Sequence, residues 1–124
     1  MSAIDRLAVI GVQMSKPART SAESLAKALD ALPSSIGPGL QRTDVARSLT
    51  HAQAGLDALP AMDASMFNDN VRGRLTKAVQ ALGLTLERSP MTSKQVPTEA
   101  HHLVAFAREQ AAWTIDMLAL AKHS

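Results

Sequence analysis

Histidine is the residue type of this chain that is best suited to chemical reactions, because its imidazole can act as a nucleophile or a base near neutral pH. The chain has four histidines. His51 belongs to a segment with helical periodicity and lies on the side opposite the apolar residues. Asp44, Arg47 and Ser48 are near it on that side, and Gly55 follows one turn later. An exposed imidazole beside small residues is the arrangement that a phosphoryl acceptor requires.

The segment from His51 to Gly55, HAQAG, resembles the acceptor segment of histidine-containing phosphotransfer domains. That family is a helical bundle of similar size, with a lysine three positions and a glycine four positions after the histidine. This chain keeps the histidine and the glycine but has Ala54 where the family's lysine would neutralise the phosphate. The resemblance implies phosphotransfer through His51 as an alternative function. The competing interpretation is a solvated histidine.

The remaining histidines do not form a metal site in the sequence. His101 and His102 are adjacent, so on a helix they point about 100° apart and do not share a face. His102 and Glu109 lie on one side of that helix but two turns apart, too far to bind one ion unaided. With no cysteine in the chain, a thiolate site and a disulfide are excluded. We expect no metal and no cofactor.

Catalytic motifs are also missing from the sequence. There is no G-x-S-x-G, no P-loop, no H-E-x-x-H and no Glu-x-x-His pair of the di-iron bundles. The sequence therefore predicts a protein that is not an enzyme.

A basic flank is the remaining charged feature. Arg74, Lys77 and Arg88 fall on one side of a predicted helix, where they could contact phosphates or an acidic partner. No aromatic residues are interleaved for stacking on bases, and the formal net charge is only +2. A solvated basic surface is the simpler interpretation, and we do not expect nucleic-acid binding.

The composition favours an all-helical fold. Apolar residues are 46% of the 124 residues and aromatic residues only 2%, so that alanine, leucine and methionine, which are good helix formers, dominate. The length fits one domain covering residues 1–124. The N-terminus does not resemble a signal peptide, and no apolar run approaches the ~20 residues that span a bilayer. These features predict a cytoplasmic protein.

Periodicity and capping signals predict five helices. Ser2 and Asp5 form a capping box for a first helix from Ala3 to about Ser15, with a short strand, Leu7–Val12, as the alternative. Thr20 and Glu23 form a second capping box, for a helix that Pro33 ends. A third helix begins near Leu40 or at Thr43 and ends at Leu59. A fourth, capped by Asp63 or Ser65, ends at Gly83 or continues to Arg88.

The fifth helix has the longest uninterrupted pattern, from a Thr98 cap to Lys122. Its apolar residues cover roughly 220° of its circumference, against the ~100° that a surface helix needs. We therefore predict an all-α, four- or five-helix antiparallel bundle with the C-terminal helix central.

The apolar surface of this chain exceeds what a small bundle obviously needs. The residues that we expect at an interface are Phe106, Trp113, Met117, Met66 and Phe67. Methionine suits adaptable binding surfaces. The sequence thus favours a non-enzymatic protein that binds a partner or a second copy of itself, with a homodimer expected. The alternative is that the five helices bury all of this surface.

Overall fold

Helices make up nearly all the regular structure of this protein. The computed structural model describes residues 2–12, 14–60 and 65–120, with the backbone alone for residues 65–68. The elements are α1 (Ala3–Ile10), α2 (Lys16–Asp30), α3 (Arg42–Asp57), α4 (Ser65–Arg88), a 3-10 turn (Thr98–Ala100) and α5 (His101–Leu120). None of the helices in these ranges combines the length and the apolarity that crossing a bilayer requires.

Helices α2 to α5 form a bundle in which each packs against two others. The order around the bundle is α2, α3, α4 and α5, with α5 returning to contact α2, and α1 packs on the outside of α2. The all-α bundle predicted from the sequence is confirmed. Because α5 lies between α4 and α2, its buried residues form one side of the core.

The contact between α2 and α3 shows that these two helices run antiparallel. Ser21 Oγ donates a hydrogen bond to the Gly55 carbonyl at 2.6 Å, and Ser48 Oγ donates one to the Ala28 carbonyl at 2.8 Å. Residue numbers therefore rise along α2 as they fall along α3. Small side chains at these positions let the two backbones approach closely enough for a side chain of one helix to reach a carbonyl of the other.

Helix α1 begins as predicted but ends early. Ser2 Oγ accepts a hydrogen bond from the Asp5 N–H at 3.1 Å, which is half of the predicted capping box. The helix ends at Ile10, not near Ser15, with Gly11 as its C-cap. The Arg19 guanidinium, from α2, donates to the carbonyls of Gly11 and Val12. These hydrogen bonds satisfy two carbonyls just beyond the helix end. The alternative of a strand at residues 7–12 is wrong, because residues 7–10 are helical.

Helix α2 begins four residues before the predicted capping box. Ser15 is the N-cap, and its hydroxyl accepts a hydrogen bond from the Ala18 N–H at 3.4 Å. Pro17 follows within the first turn, where proline is favoured. The prediction that Thr20 and Glu23 start the helix is therefore wrong: the Thr20 hydroxyl donates to the Lys16 carbonyl inside the helix.

The later boundaries are nearer to the prediction. Helix α4 passes through Gly83 and ends at Arg88, which confirms the longer of the two predicted ends. The last helical segment enters through a 3-10 turn whose N-cap is Pro97, without a side-chain hydrogen bond. The predicted Thr98 cap is therefore wrong.

The two long connections of the bundle meet at one end. Gln41 and Gln95 form an isolated antiparallel bridge. Beside it the Val96 N–H donates to the Leu40 carbonyl, and the Arg42 N–H donates to the Lys94 carbonyl, both at 2.8 Å. The segment before α5 is thereby attached to the start of α3, which fixes where α5 enters the bundle.

Candidate functional site

The outward side of α5 carries a line of apolar residues that recur every seven positions. Phe106, Trp113 and Leu120 form this line, which we call the outer stripe. Phe106 is 39% exposed and Leu120 is 71% exposed, while Trp113 is half-buried and packs against the edge of the core. A seven-residue spacing keeps side chains almost in line along a helix, because two turns take 7.2 residues.

A second line of residues accompanies the outer stripe on the side of α4. Leu103, Gln110 and Met117 are half-buried there. The two lines together alternate steps of three and four residues, which is the heptad pattern of a helix–helix seam. The opposite side of α5 supplies the core, with Val104, Ala107, Ala111, Thr114, Ile115 and Leu118 buried. α5 therefore has one apolar side within the core of its own bundle. On the other side Phe106 and Leu120 are exposed, while Leu103, Trp113 and Met117 pack against the edge of the core.

The distribution of aromatic residues reinforces this division. Among the described residues, the buried apolar side chains are all leucine, alanine, valine and isoleucine. The whole chain has one tryptophan, two phenylalanines and no tyrosine, and both Trp113 and Phe106 lie on the outer stripe. In the part of the chain whose side chains are described, the core is thus filled with aliphatic groups, and the rings of Phe106 and Trp113 lie on the outward side of α5.

Arg74 of α4 fixes the position of the tryptophan ring. Its guanidinium carbon lies 4.1 Å from the centroid of the Trp113 ring. This cation–π contact is worth about 0.5–1 kcal/mol where it is exposed to solvent. The indole therefore lies between the edge of the core and a positive charge.

The predicted basic flank is divided in two by the length of α4. Arg74, Lys77 and Arg88 are all exposed. Arg74 and Lys77 are one turn apart and lie beside the outer stripe, since Arg74 covers Trp113. Arg88 is 11 residues beyond Lys77, about 17 Å along the helix, so it does not join the pair. The outer stripe therefore has two positive charges, Arg74 and Lys77, along its α4 side.

The other side of the outer stripe is acidic. Glu109 is exposed and Asp116 is half-buried, and both lie on the side of α5 away from α4. The Asp116 carboxylate forms an ion pair with the Arg6 guanidinium of α1 at 2.8 Å, with side chains 40% and 51% exposed. Arg108, on the same side, donates to the Ser34 carbonyl at 2.7 Å. The outer stripe thus separates a basic border, Arg74 and Lys77, from an acidic border, Glu109 and Asp116, on which Arg6 already balances the charge of Asp116.

Three of the five residues predicted at an interface lie on these two lines of α5. Phe106, Trp113 and Met117 lie together on the two adjoining lines of α5. The side chains of Met66 and Phe67 lie outside the part of the chain that the structure describes. Leu120 was not among the predicted interface residues, although its seven-residue spacing from Trp113 was visible in the sequence.

The surroundings of His51 give a packing reason for the glycine that follows it. His51 is half-buried on α3. A Cβ on Gly55 would lie 2.7 Å from Leu25 Cδ2 and 3.3 Å from the Ser21 carbonyl oxygen. The close packing of α3 on α2 is therefore sufficient to explain the glycine at residue 55, and a phosphoryl group is not needed to explain it. Ala54, where the resemblance expects a lysine, is exposed. Phosphotransfer through His51 stays a hypothesis.

The paired histidines of the last helix lie in different environments. His101 Nε2 is 3.3 Å from the Val96 carbonyl oxygen, whereas His102 is exposed. Within the described ranges, no group of three histidine, aspartate or glutamate residues is placed to hold a metal ion.

A concave cleft lies between α1 and α2. It has a volume of about 440 Å³ and is lined mainly by apolar α1 residues and by Arg19, Glu23 and Lys27 of α2. The Arg19 guanidinium is already bound to the carbonyls that end α1. Its main polar group therefore has a structural role, and the cleft is a weaker candidate than the outer stripe.

Comparison of the chain with protein-family models, with curated proteins and with solved structures finds no match. Its function is therefore inferred from its own residues.

Proposed function

We propose that this protein acts without catalysis, by binding another protein or a further copy of itself, and that the outer stripe is the contact surface. The observation that carries the proposal is the seven-residue recurrence of Phe106, Trp113 and Leu120 on a helix whose opposite side already supplies the core. A helix that only completes its own bundle needs one apolar side.

The energetics of these side chains support the same proposal. Burying a phenylalanine or leucine side chain completely is worth about 1.5–3 kcal/mol. Within the bundle, Phe106 gains only part of this burial free energy and Leu120 gains little of it, because both side chains are exposed. A partner that covered the outer stripe would add the remainder to the free energy of binding.

The residue types and their borders also resemble those of protein interfaces. Aromatic residues and methionine are enriched at the centres of such interfaces, and polar residues surround them. Tryptophan is prominent among the residues that dominate binding energy, particularly where its ring is already held in place. Trp113 under Arg74, with charges on both sides of the outer stripe, fits this description.

The test compares capture of partners by matched variants. The tagged protein is used to capture proteins from its native source, as wild type and as Phe106→Glu, Leu120→Glu and Val9→Glu. Val9, on α1, is 67% exposed and off the outer stripe, so it controls for adding an acid at an exposed apolar position. We expect a partner that the wild type and Val9→Glu capture and that both stripe variants lose. The same captured set for all four proteins would refute the proposal.

A further inference from the structure

The charges on either side of the outer stripe indicate what covers it. We propose that the occupant is a second copy of this chain, packed with the two α5 helices parallel about a two-fold axis that runs along them. This inference rests on the proposed function of the outer stripe and adds the identity and the orientation of the partner.

The first step is the height of each charge along α5. Arg74 is level with Trp113. Ala78 and Leu82, which follow Arg74 on α4, line one small cavity with Ala107 and Ala111, which precede Trp113 on α5. Helices α4 and α5 therefore run antiparallel. Three residues along α4 correspond to about 4.5 Å, so Lys77 is about level with Gln110.

The acidic border lies at the same heights. Glu109 is four residues before Trp113 and Asp116 is three residues after it, or about 6 Å and 4.5 Å along the axis. The height of Arg74 is therefore between the two acids, and the height of Lys77 is next to Glu109. Within the described residues, Lys77 and Glu109 form no ion pair, so both charges are available to a partner.

The direction of the symmetry axis decides which charges meet. A two-fold axis along the helices turns the α4 side of one copy towards the α1 side of the other and keeps all heights equal. Lys77 of each copy then faces Glu109 of the other, which is the pairing that carries the argument. Arg74 lies between the heights of Glu109 and Asp116, and Arg6 of the same copy already balances Asp116. A two-fold axis perpendicular to the helices would place α4 of one copy against α4 of the other, so that Arg74 faced Arg74 of the second copy. Like charges in contact disfavour that arrangement.

The seam itself suits the parallel arrangement. In this arrangement each residue of the outer stripe contacts the same residue of the second copy, so that phenylalanine, tryptophan and leucine form three apolar layers. Gln110 in the flanking line occupies the kind of polar seam position that fixes register in parallel helix pairs, because only one alignment pairs the two amides. One surface thus contributes both halves of the interface, as a two-fold interface requires.

The orientation can be tested by disulfide formation, because the natural chain has no cysteine. His102→Cys and Leu120→Cys place single thiols near opposite ends of the outer side of α5, and Val9→Cys is the control. We expect His102→Cys and Leu120→Cys each to form a disulfide-linked dimer on mild oxidation and Val9→Cys to form none. A mixture of the two α5 variants should give no mixed dimer. A dominant mixed dimer would show antiparallel helices and overturn the proposal.

The charge pairing is tested by exchanging the two residues that face each other. We expect Lys77→Glu and Glu109→Lys each to weaken the dimer about tenfold or more in analytical ultracentrifugation, since two-fold symmetry counts each contact twice. The double variant should return to within about threefold of the wild type. Glu87→Lys, exposed on the other side of α4, should leave the dimer unchanged. Single variants as strong as the wild type would overturn the pairing.

The oligomeric state separates this inference from the proposed function. A wild-type chain that stays monomeric up to millimolar concentration in light scattering would overturn the second copy as occupant. The outer stripe could still bind a different protein, and the capture experiment with Phe106→Glu and Leu120→Glu decides that independently.

Discussion

Replacement of Gly55 by alanine is the sharpest test of the packing in this bundle. Alanine favours a helix over glycine by about 1 kcal/mol, so in an open helix the change would stabilise the protein. At residue 55 the new methyl group would lie 2.7 Å from Leu25 Cδ2 and 2.8 Å from Leu25 Cγ. Leu25 is fully buried, so its side chain moves only if its neighbours move with it.

The size of the effect follows from three contributions. Overpacking a well-filled core costs about 1–3 kcal/mol. The Cβ would also lie 3.3 Å from the Ser21 carbonyl oxygen, so α2 itself must shift. That shift weakens the 2.6 Å hydrogen bond from Ser21 to the Gly55 carbonyl, which is worth about 1 kcal/mol. After the gain in helix propensity, we expect the free energy of unfolding to fall by about 1–3 kcal/mol.

The matched control is Gly73→Ala. Gly73 lies inside α4 and is exposed, and a Cβ there would meet no atom within 4 Å. Only the helix propensity then changes, so we expect the free energy of unfolding to rise by about 1 kcal/mol. Urea denaturation of both variants measures the difference. A thermal melt should show Gly55→Ala lower and Gly73→Ala higher than the wild type, by about 4 °C per kcal/mol.

The outcome also bears on His51. If Gly55→Ala were as stable as Gly73→Ala, α2 and α3 would not be in close contact at this point, and the packing reason for the glycine would be refuted. The glycine would then need another explanation, such as room for a phosphoryl group. Opposite signs for the two variants would assign Gly55 to packing.

Three further predictions concern Asp30, Arg74 and His51. The Asp30 carboxylate accepts hydrogen bonds from the N–H groups of Ala3 and Ile4 at 2.8 and 3.2 Å; Asp30→Ala should cost about 1 kcal/mol and speed amide exchange in α1, and unchanged exchange would show that α1 does not depend on this cap. Arg74→Ala should free the Trp113 ring, shift its fluorescence to longer wavelength and cost about 0.5–1 kcal/mol; an identical spectrum would argue against the cation–π contact. With Ala54 in place of a lysine, the wild type should accept no phosphoryl group from a phosphorylated response regulator, and transfer that His51→Gln abolishes would contradict this.

The helices were predictable as elements because apolar periodicity is a local property of the chain. Their boundaries were less predictable because capping signals compete. Ser2 caps α1 as expected, but Ser15 caps α2 before Thr20 can, since Pro17 between them lies in the first turn, where proline is tolerated. At the end of α1 the C-cap Gly11 also accepts a hydrogen bond from Arg19 of α2. Such contacts between elements have no signature in the local sequence.

The candidate site was predictable in its residues but not in its orientation. Both sides of α5 carry apolar lines with the same heptad spacing, so the sequence does not say which line enters the core. The borders of the outer stripe were hidden for the same reason. Its positive charges come from α4 and the partner of Asp116 comes from α1, and only the assembled bundle brings these elements beside α5.

Side-chain size decides which line of α5 enters the core. The small residues Ala107, Ala111 and Thr114 are buried, and Thr114 satisfies its own hydroxyl by donating to the Gln110 carbonyl at 2.8 Å. If α5 were turned to bury the outer stripe instead, the rings of Phe106 and Trp113 would have to fit between α2 and α4, and overpacking on that scale is destabilising. A core that is packed with aliphatic side chains therefore has no room for the rings of Phe106 and Trp113. The packing that fills the core of this bundle thus leaves these two rings on its outward side.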